Sequence, residues 1–205
     1  MKITSAEISP RNKDQRRIFL DHIFSFTMPE EVYVRTHFYE KEEISQAEVD
    51  ELRNKSIRQV VREHAMRLLT VRDRTGKGLV ERLKQAGYDE DIAMVVTEDM
   101  KTVGYIDDRR YAQRYISEQL RSKAISRKAI RFTLQTKGVD KDIIEEVLAE
   151  FEQDDEDMAV RGLKKKFGKY DLSDPTIEQK AIGYLMHRGF SYESVQRALQ
   201  RSKDH

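Results

Sequence analysis

Between Arg109 and Lys141 the chain carries ten basic and two acidic residues, and between Asp142 and Asp157 it carries nine acidic residues and no basic one. A cationic block of this density raises a positive potential whose natural complement is a phosphate backbone or an acidic protein groove. Arg110, Arg114 and Arg121 follow steps of four and seven, and Arg127, Lys128 and Arg131 follow steps of one, three and four. Each set is therefore expected along one face of a helix. With Lys137 these seven are the candidate contacts to an anionic partner, and arginine suits bidentate capture of carboxylate or phosphate. Arg161, Lys164, Lys165, Lys166 and Lys169 form a further cluster, and Arg58, Arg62, Arg72, Arg74, Lys77, Arg82 and Lys84 another. The acidic block either pairs with the basic face of a neighbouring unit or repels DNA on the opposite side, and the sequence leaves both open.

Arrangements that carry catalysis are missing. There is no cysteine, so disulfides, thiolate metal sites and cysteine nucleophiles are excluded together. His22, His37, His64, His187 and His205 are scattered, without the spacing that a zinc site needs. Thr75-Gly76-Lys77-Gly78 resembles a phosphate loop only superficially, because the earlier glycine is absent and Leu79 follows. Asp107-Asp108 reads as a helix cap rather than a metal pair, since adjacent side chains point apart. Tyr111 and Tyr115, one turn apart, read as a core stripe, whereas Tyr105 stands outside that spacing. No cofactor, metal or reaction is expected.

These residues need helices to position them. Of 205 residues, 37% are charged and 38% hydrophobic, mean hydropathy is −0.76, and there are three prolines and nine glycines. That composition favours helix over loop. No run of 18 apolar residues is present, so a membrane span is not expected, and the polarity at Glu7 and from Arg11 to Asp14 argues against a signal peptide. The 38 basic and 37 acidic residues nearly cancel, so only their distribution is informative.

A repeat supplies the scaffold. Gly87, Gly138 and Gly189 are separated by 51 and 51 residues, and each is preceded four residues earlier by Leu83, Leu134 or Leu185. An apolar residue follows each glycine (Tyr88, Val139, Phe190), and then a capping residue (Asp89, Asp140, Ser191). This is the pattern of a helix stopped by a left-handed glycine and followed by a new helix capped by a side-chain oxygen. Amphipathic stretches lie upstream, through Ile57, Val61 and Leu68 and through Tyr111, Tyr115 and Leu120, with Thr75, Ser126 and Asp174 before Pro175 as start signals between them. The third copy is loosest: its first helix, through Met158 and Leu163, contains Gly162 and is expected to end near Gly168, each glycine weakening it by roughly 1 kcal/mol.

The N-terminal segment differs. Arg16 to Leu20 and Ile23 to Phe26 flank Asp21-His22 as a hairpin, Ile3 to Ile8 supplies a third strand, and Pro29-Glu30-Glu31 opens a helix. The expected architecture is mainly α: a small β-containing head over 1–52 and three tandem three-helix repeats over 53–103, 104–153 and 154–205. The boundary near 53 follows a change from acidic to basic composition, although a helix capped by Ser45 could begin at Gln46 and run across it.

Gly104-Tyr105-Ile106-Asp107-Asp108-Arg109-Arg110-Tyr111-Ala112, continued by Lys128-Ala129-Ile130-Arg131-Phe132 and Leu134-Gln135-Thr136-Lys137-Gly138, resembles the central repeat of the RecX family of bacterial regulatory proteins. The flanking repeats extend the likeness over most of the chain, with Ala86 before the first corner glycine where Lys137 and Arg188 stand in the other copies. The resemblance implies a cytoplasmic, non-enzymatic regulator, working as a monomer. It would lie in the groove of the RecA recombinase filament, with single- or double-stranded DNA within or beside it, and repress strand exchange and co-protease activity in DNA repair and the SOS response. The seven cations are then expected to face the filament. Two other classes compete: a stand-alone helix-turn-helix DNA-binding protein, and a metal-dependent nuclease.

Overall fold

The computed structural model describes residues 1–152 and 154–203, so His205 and the segment 204–205 lie outside the described residues. The chain forms two compact units, Met1–Asp107 and Asp108–His205.

The first unit opens with an antiparallel sheet in the order β1 (Ile3–Ile8), β2 (Gln15–Leu20), β3 (Ile23–Pro29). The hairpin turns on Asp21 and His22, both at positive φ (49° and 67°), the geometry that matches the twist of the flanking strands. One sheet face buries Ile18, Leu20, Phe26 and Met28. The short helix α1 (Glu30–Arg35) follows, with Glu30 and Glu31 in its first turn favoured by the helix dipole. Pro29 sits before that turn, as the last residue of β3, rather than inside it.

Ser45 caps α2 (Gln46–Glu51) through a reciprocal box with Glu48. The helix then continues through a wider π turn, Leu52–Ile57, into α3 (Arg58–Val71). The compositional change near residue 53 thus falls within an uninterrupted helix, because charge changes on its exposed side while Val49, Ile57, Val60 and Val61 keep a buried stripe. With α4 (Gly76–Gln85) and α5 (Glu90–Thr102) this makes three helices under one core shared with the head, in which Phe26, Met28 and Val32 join Val61, Leu83 and Val96.

The second unit holds α6 (Asp108–Ser122), α7 (Arg127–Thr136), α8 (Lys141–Ala149), α9 (Asp155–Phe167), α10 (Pro175–Met186) and α11 (Tyr192–Lys203). Its two triplets also share one core, where Ile116, Leu134 and Ile144 meet Leu163, Leu185 and Val195. A triplet alone buries too little apolar surface to offset its ordering entropy; pairing supplies the rest.

The corner is built the same way three times. Gly87, Gly138 and Gly189 have φ of 95°, 82° and 86°. The N–H groups of Tyr88, Val139 and Phe190 donate back to the carbonyls of Leu83, Leu134 and Leu185 at 3.2, 3.0 and 3.3 Å. That long-range backbone bond closes a Schellman motif, and the three leucines are fully buried beneath it. Thr75, Ser126 and Asp174 cap their helices as expected.

Two local expectations change. Asp89 does not cap α5; its carboxylate accepts instead from the Thr27 N–H at 2.8 Å, tying the corner to β3. Gly162 is not merely a weak point of α9: a Cβ there would stand 2.5 Å from the Ala124 Cβ, so a close approach requires it. Gly168 does end α9, in a right-handed conformation.

Candidate interaction surface

Ala112, Ile116 and Leu120 define the buried side of α6. At about 100° per residue Arg110, Arg114 and Arg121 fall on the opposite side, and all three are exposed. Arg114 lies 3.8 Å from Glu118, one turn on, a contact worth little between exposed groups.

The second predicted set separates. On α7, Ile130 and Leu134 are buried, which sends Lys128 outward and turns Arg127 and Arg131 toward α8. Arg131 donates twice to Glu145, at 2.6 and 2.9 Å. Arg127 donates to the carbonyls of Phe151 (3.0 Å) and Leu148, while its own backbone N–H donates to Asp155 at 2.7 Å. Arg127 therefore holds carbonyls at the end of α8, and the reason is angular: residues 127 and 131 share a side that residue 128 does not. Lys137 follows the last turn of α7 and is exposed.

The acidic block is answered within its own unit. Arg109 donates to Glu146 and, at 2.5 Å, to Glu150, which also accepts from Gln113 at 3.0 Å. The Arg131 guanidinium holds the Glu145 carboxyl below the ordinary carboxylate range. Gln113 first, then Arg109, does the same for Glu150. In the first unit Arg58 pairs with Asp99; 51 residues on, Arg109 pairs with Glu150. In the third triplet the polarity reverses, with Arg201 on the last helix donating to Asp157 on the first, at 2.8 Å.

The cluster on α9 divides as well. Arg161 donates to the carbonyls of Leu120 and Arg121, both at 2.8 Å, and Lys165 to that of Ser122 at 3.2 Å. Arg188 reaches the Ala124 carbonyl at 3.2 Å with its guanidinium 4.6 Å from the Tyr184 ring centre. These cations satisfy the carbonyls at the negative end of α6 and just beyond it, so they fasten one triplet to the next.

Tyr111 and Tyr115 pack against the core, and Tyr105 is exposed. His64 bonds the Tyr88 hydroxyl at 3.1 Å and is pushed down chiefly by burial. Among the described residues no His, Asp or Glu cluster could hold a metal, and no helix is long and apolar enough to cross a membrane. Sequence reasoning passed over Phe132, which is 71% exposed on the outward side of α7, one turn beyond Lys128. The signal available was an aromatic residue where helical periodicity calls for a polar one.

Known proteins share this fold. Family models match at residues 62–98 (RecX, first three-helix domain), 107–148 (RecX, second three-helix domain) and 153–199 (RecX, third three-helix domain). The chain is 27% identical over 205 residues to "Regulatory protein RecX" of Clostridium botulinum (strain Eklund 17B / Type B), covering 98% of this chain and 96% of that protein. It is 35% identical over 129 residues to the protein of the same name from Mycobacterium avium (strain 104), covering 62% and 75%. "Crystal structure of regulatory protein RecX" matches with a TM-score of 0.63 at 22% identity, over 100% of this chain and 99% of that one. "Crystal structure of RecX from Lactobacillus salivarius" matches with a TM-score of 0.59 at 21% identity, over 72% and 97%.

Proposed function

The chain belongs to the RecX family of regulatory proteins, and from that premise we propose that it binds the RecA recombinase filament and represses its strand exchange and co-protease activities, without turnover of its own. The observation that supports this most is the set of exposed cations on the helices of the second unit. Arg110, Arg114 and Arg121 lie on the exposed side of α6, and α7 carries Lys128 and Phe132 on its own exposed side, while Arg127, Arg131 and Arg161 also hold carbonyls or carboxylates within the unit. The outward residues touch acidic surfaces of the filament or DNA phosphates within it, and Phe132 supplies an exposed apolar contact on α7. Arg127 and Arg131 act by holding α8, and Lys137 contributes at the margin. Triplets over 53–103, 104–153 and 154–205 meet successive recombinase subunits, so modest contacts add through linkage. The protein works in the cytoplasm as a monomer in DNA repair and the SOS response.

A titration with recombinase alone, DNA alone and the assembled filament tests this reading. Tightest binding to the filament is expected. Binding to duplex DNA only, with a steep salt dependence, would instead establish a stand-alone DNA-binding protein.

A further inference from the structure

The sheet of the first unit has a second face that the core does not use. The pairings Glu7–Arg17–Thr27 and Ser5–Phe19–Phe24 place these six side chains on it. The α4–α5 corner covers one end. Asn12 donates to the Ala86 carbonyl at 2.7 Å, and Asp89 accepts from Thr27. A Cβ on Gly87 would stand 3.3 Å from the side chains of Asn12 and Gln15. The other end stays open. There the Phe19 and Phe24 rings meet edge to face at 5.9 Å, and the Arg17 guanidinium lies 5.1 Å from both ring centres.

At the step between the covered and open halves lies a cleft of about 520 Å³, whose walls include Arg11, Arg17, Phe24, Lys84 and Tyr88. That volume falls within the roughly 300–1,000 Å³ of ordinary ligand clefts. Its carboxylates are already engaged: Asp89 with Thr27 and Arg53, and Glu90 with Lys84 at 2.8 Å. Glu7, across the strand from Arg17, accepts from the Ser5 hydroxyl at 3.2 Å. Among the described residues no carboxylate stands within ion-pair reach of Arg11 or Arg17, and Phe24 is 42% exposed. The exposed Phe24 ring, with the Arg17 guanidinium 5.1 Å from its centre and Arg11 on the wall of the same cleft, fits a ligand that offers both a flat face and negative charge.

We propose that this open sheet face and its cleft seat an unpaired nucleotide of single-stranded DNA, with the base stacked on Phe24 and the flanking phosphates on Arg11 and Arg17. The stacking rests on the sheet geometry alone; the choice of DNA over RNA rests on the function proposed above. Recombinase-free measurements on the full chain separate the two. Binding of a labelled twelve-nucleotide thymidine strand, an abasic strand of equal charge and a uridine RNA strand is read by anisotropy. We expect the thymidine strand to bind about ten-fold more tightly than the abasic one, Phe24→Ala to remove that difference, and Phe24→Trp to restore it. Arg17→Ala should weaken both DNA strands and lower the salt slope by roughly 0.7.

Photo-crosslinking of the unaltered chain to a bromodeoxyuridine strand, mapped by mass spectrometry, needs no substitution and should mark Phe24 or Tyr88. Equal binding of abasic and thymidine strands, or crosslinks confined to residues beyond 107, would overturn the seat. Tighter binding of the RNA strand would overturn its assignment to DNA. Failure of filament binding with the Phe24 crosslink retained would overturn the function proposed above and leave this site standing.

Discussion

The two units fasten their halves with one bond type in common, a backbone N–H donated to an aspartate, and differ in what is added to it. In the first, a carboxylate reaches backbone donors and cations: Asp89 accepts from Thr27 and lies 3.8 Å from Arg53, which also pairs with Asp91 and sits over the Phe26 ring. In the second, cations of the third triplet reach backbone acceptors of the second, Arg161 and Lys165 at the end of α6 and Arg188 just past it, and one carboxylate, Asp155, accepts from the Arg127 N–H. A helix that ends beside a neighbouring triplet exposes carbonyls, and arginine or lysine is what satisfies them. A count of basic residues therefore overstates the surface left for a partner in the second unit.

The division into two cores is tested by the largest effects. Leu83→Ala and Leu134→Ala, at equivalent corners, should each destabilise by about 3 kcal/mol, and each only its own unit. Denaturation followed by hydrogen exchange, resolved by segment, checks this; a shared loss of protection across both units would contradict the division. Next, Arg161→Ala leaves two carbonyls of α6 without their donor and should destabilise the second unit by about 2 kcal/mol, with the first unchanged. A shift in chemical denaturation below a few tenths of a kcal/mol would show that the fastening lies elsewhere.

Glycine sharpens the contrast within the second unit. Gly162→Ala places a methyl against Ala124 and should cost about 2 kcal/mol. Gly183→Ala, inside α10 with nothing within 4 Å, should stabilise by about 0.7 kcal/mol. Melting temperatures moving in the same direction would refute this account of the close approach at Gly162.

The smallest effect lies in the first unit. Lys41 first, and then the Ser45 backbone and hydroxyl, hold the Glu48 carboxyl at about 2, against an ordinary 4.5. Because the folded value is lowered, the stabilisation is complete above about pH 4.5 and is lost as pH falls toward 2. Lys41→Ala should raise the Glu48 midpoint, read by NMR titration of its side chain; an unmoved midpoint would leave the capping box alone responsible.

Much of this was legible in the residues. Three glycines at a fixed interval, each behind a leucine and before an apolar residue and a cap, specify the corner locally, and local patterns survive folding. The hairpin was legible for the same reason, since Asp21 and His22 tolerate positive φ between β-prone runs. What was not legible was partner choice over long separations. Nothing beside Asp89 marks it for Thr27, 62 residues away, rather than for its own helix. Nothing beside Arg161 marks it for the carbonyls of α6, 40 and 41 residues away. Within the set Arg127, Lys128 and Arg131, a step of one residue turns a helix by about 100°, so Arg127 and Arg131 bond toward α8 while Lys128 points outward.

The role of the outward cations is tested most directly by filament affinity, measured for the parent, for Arg110→Glu/Arg114→Glu/Arg121→Glu combined, and for Arg131→Ala, with helicity recorded on each. The triple reversal should weaken filament binding by at least about thirty-fold at unchanged helicity, and Arg131→Ala by no more than about three-fold. Parent-like affinity in the correctly folded triple variant would contradict the assignment of α6 as the binding face.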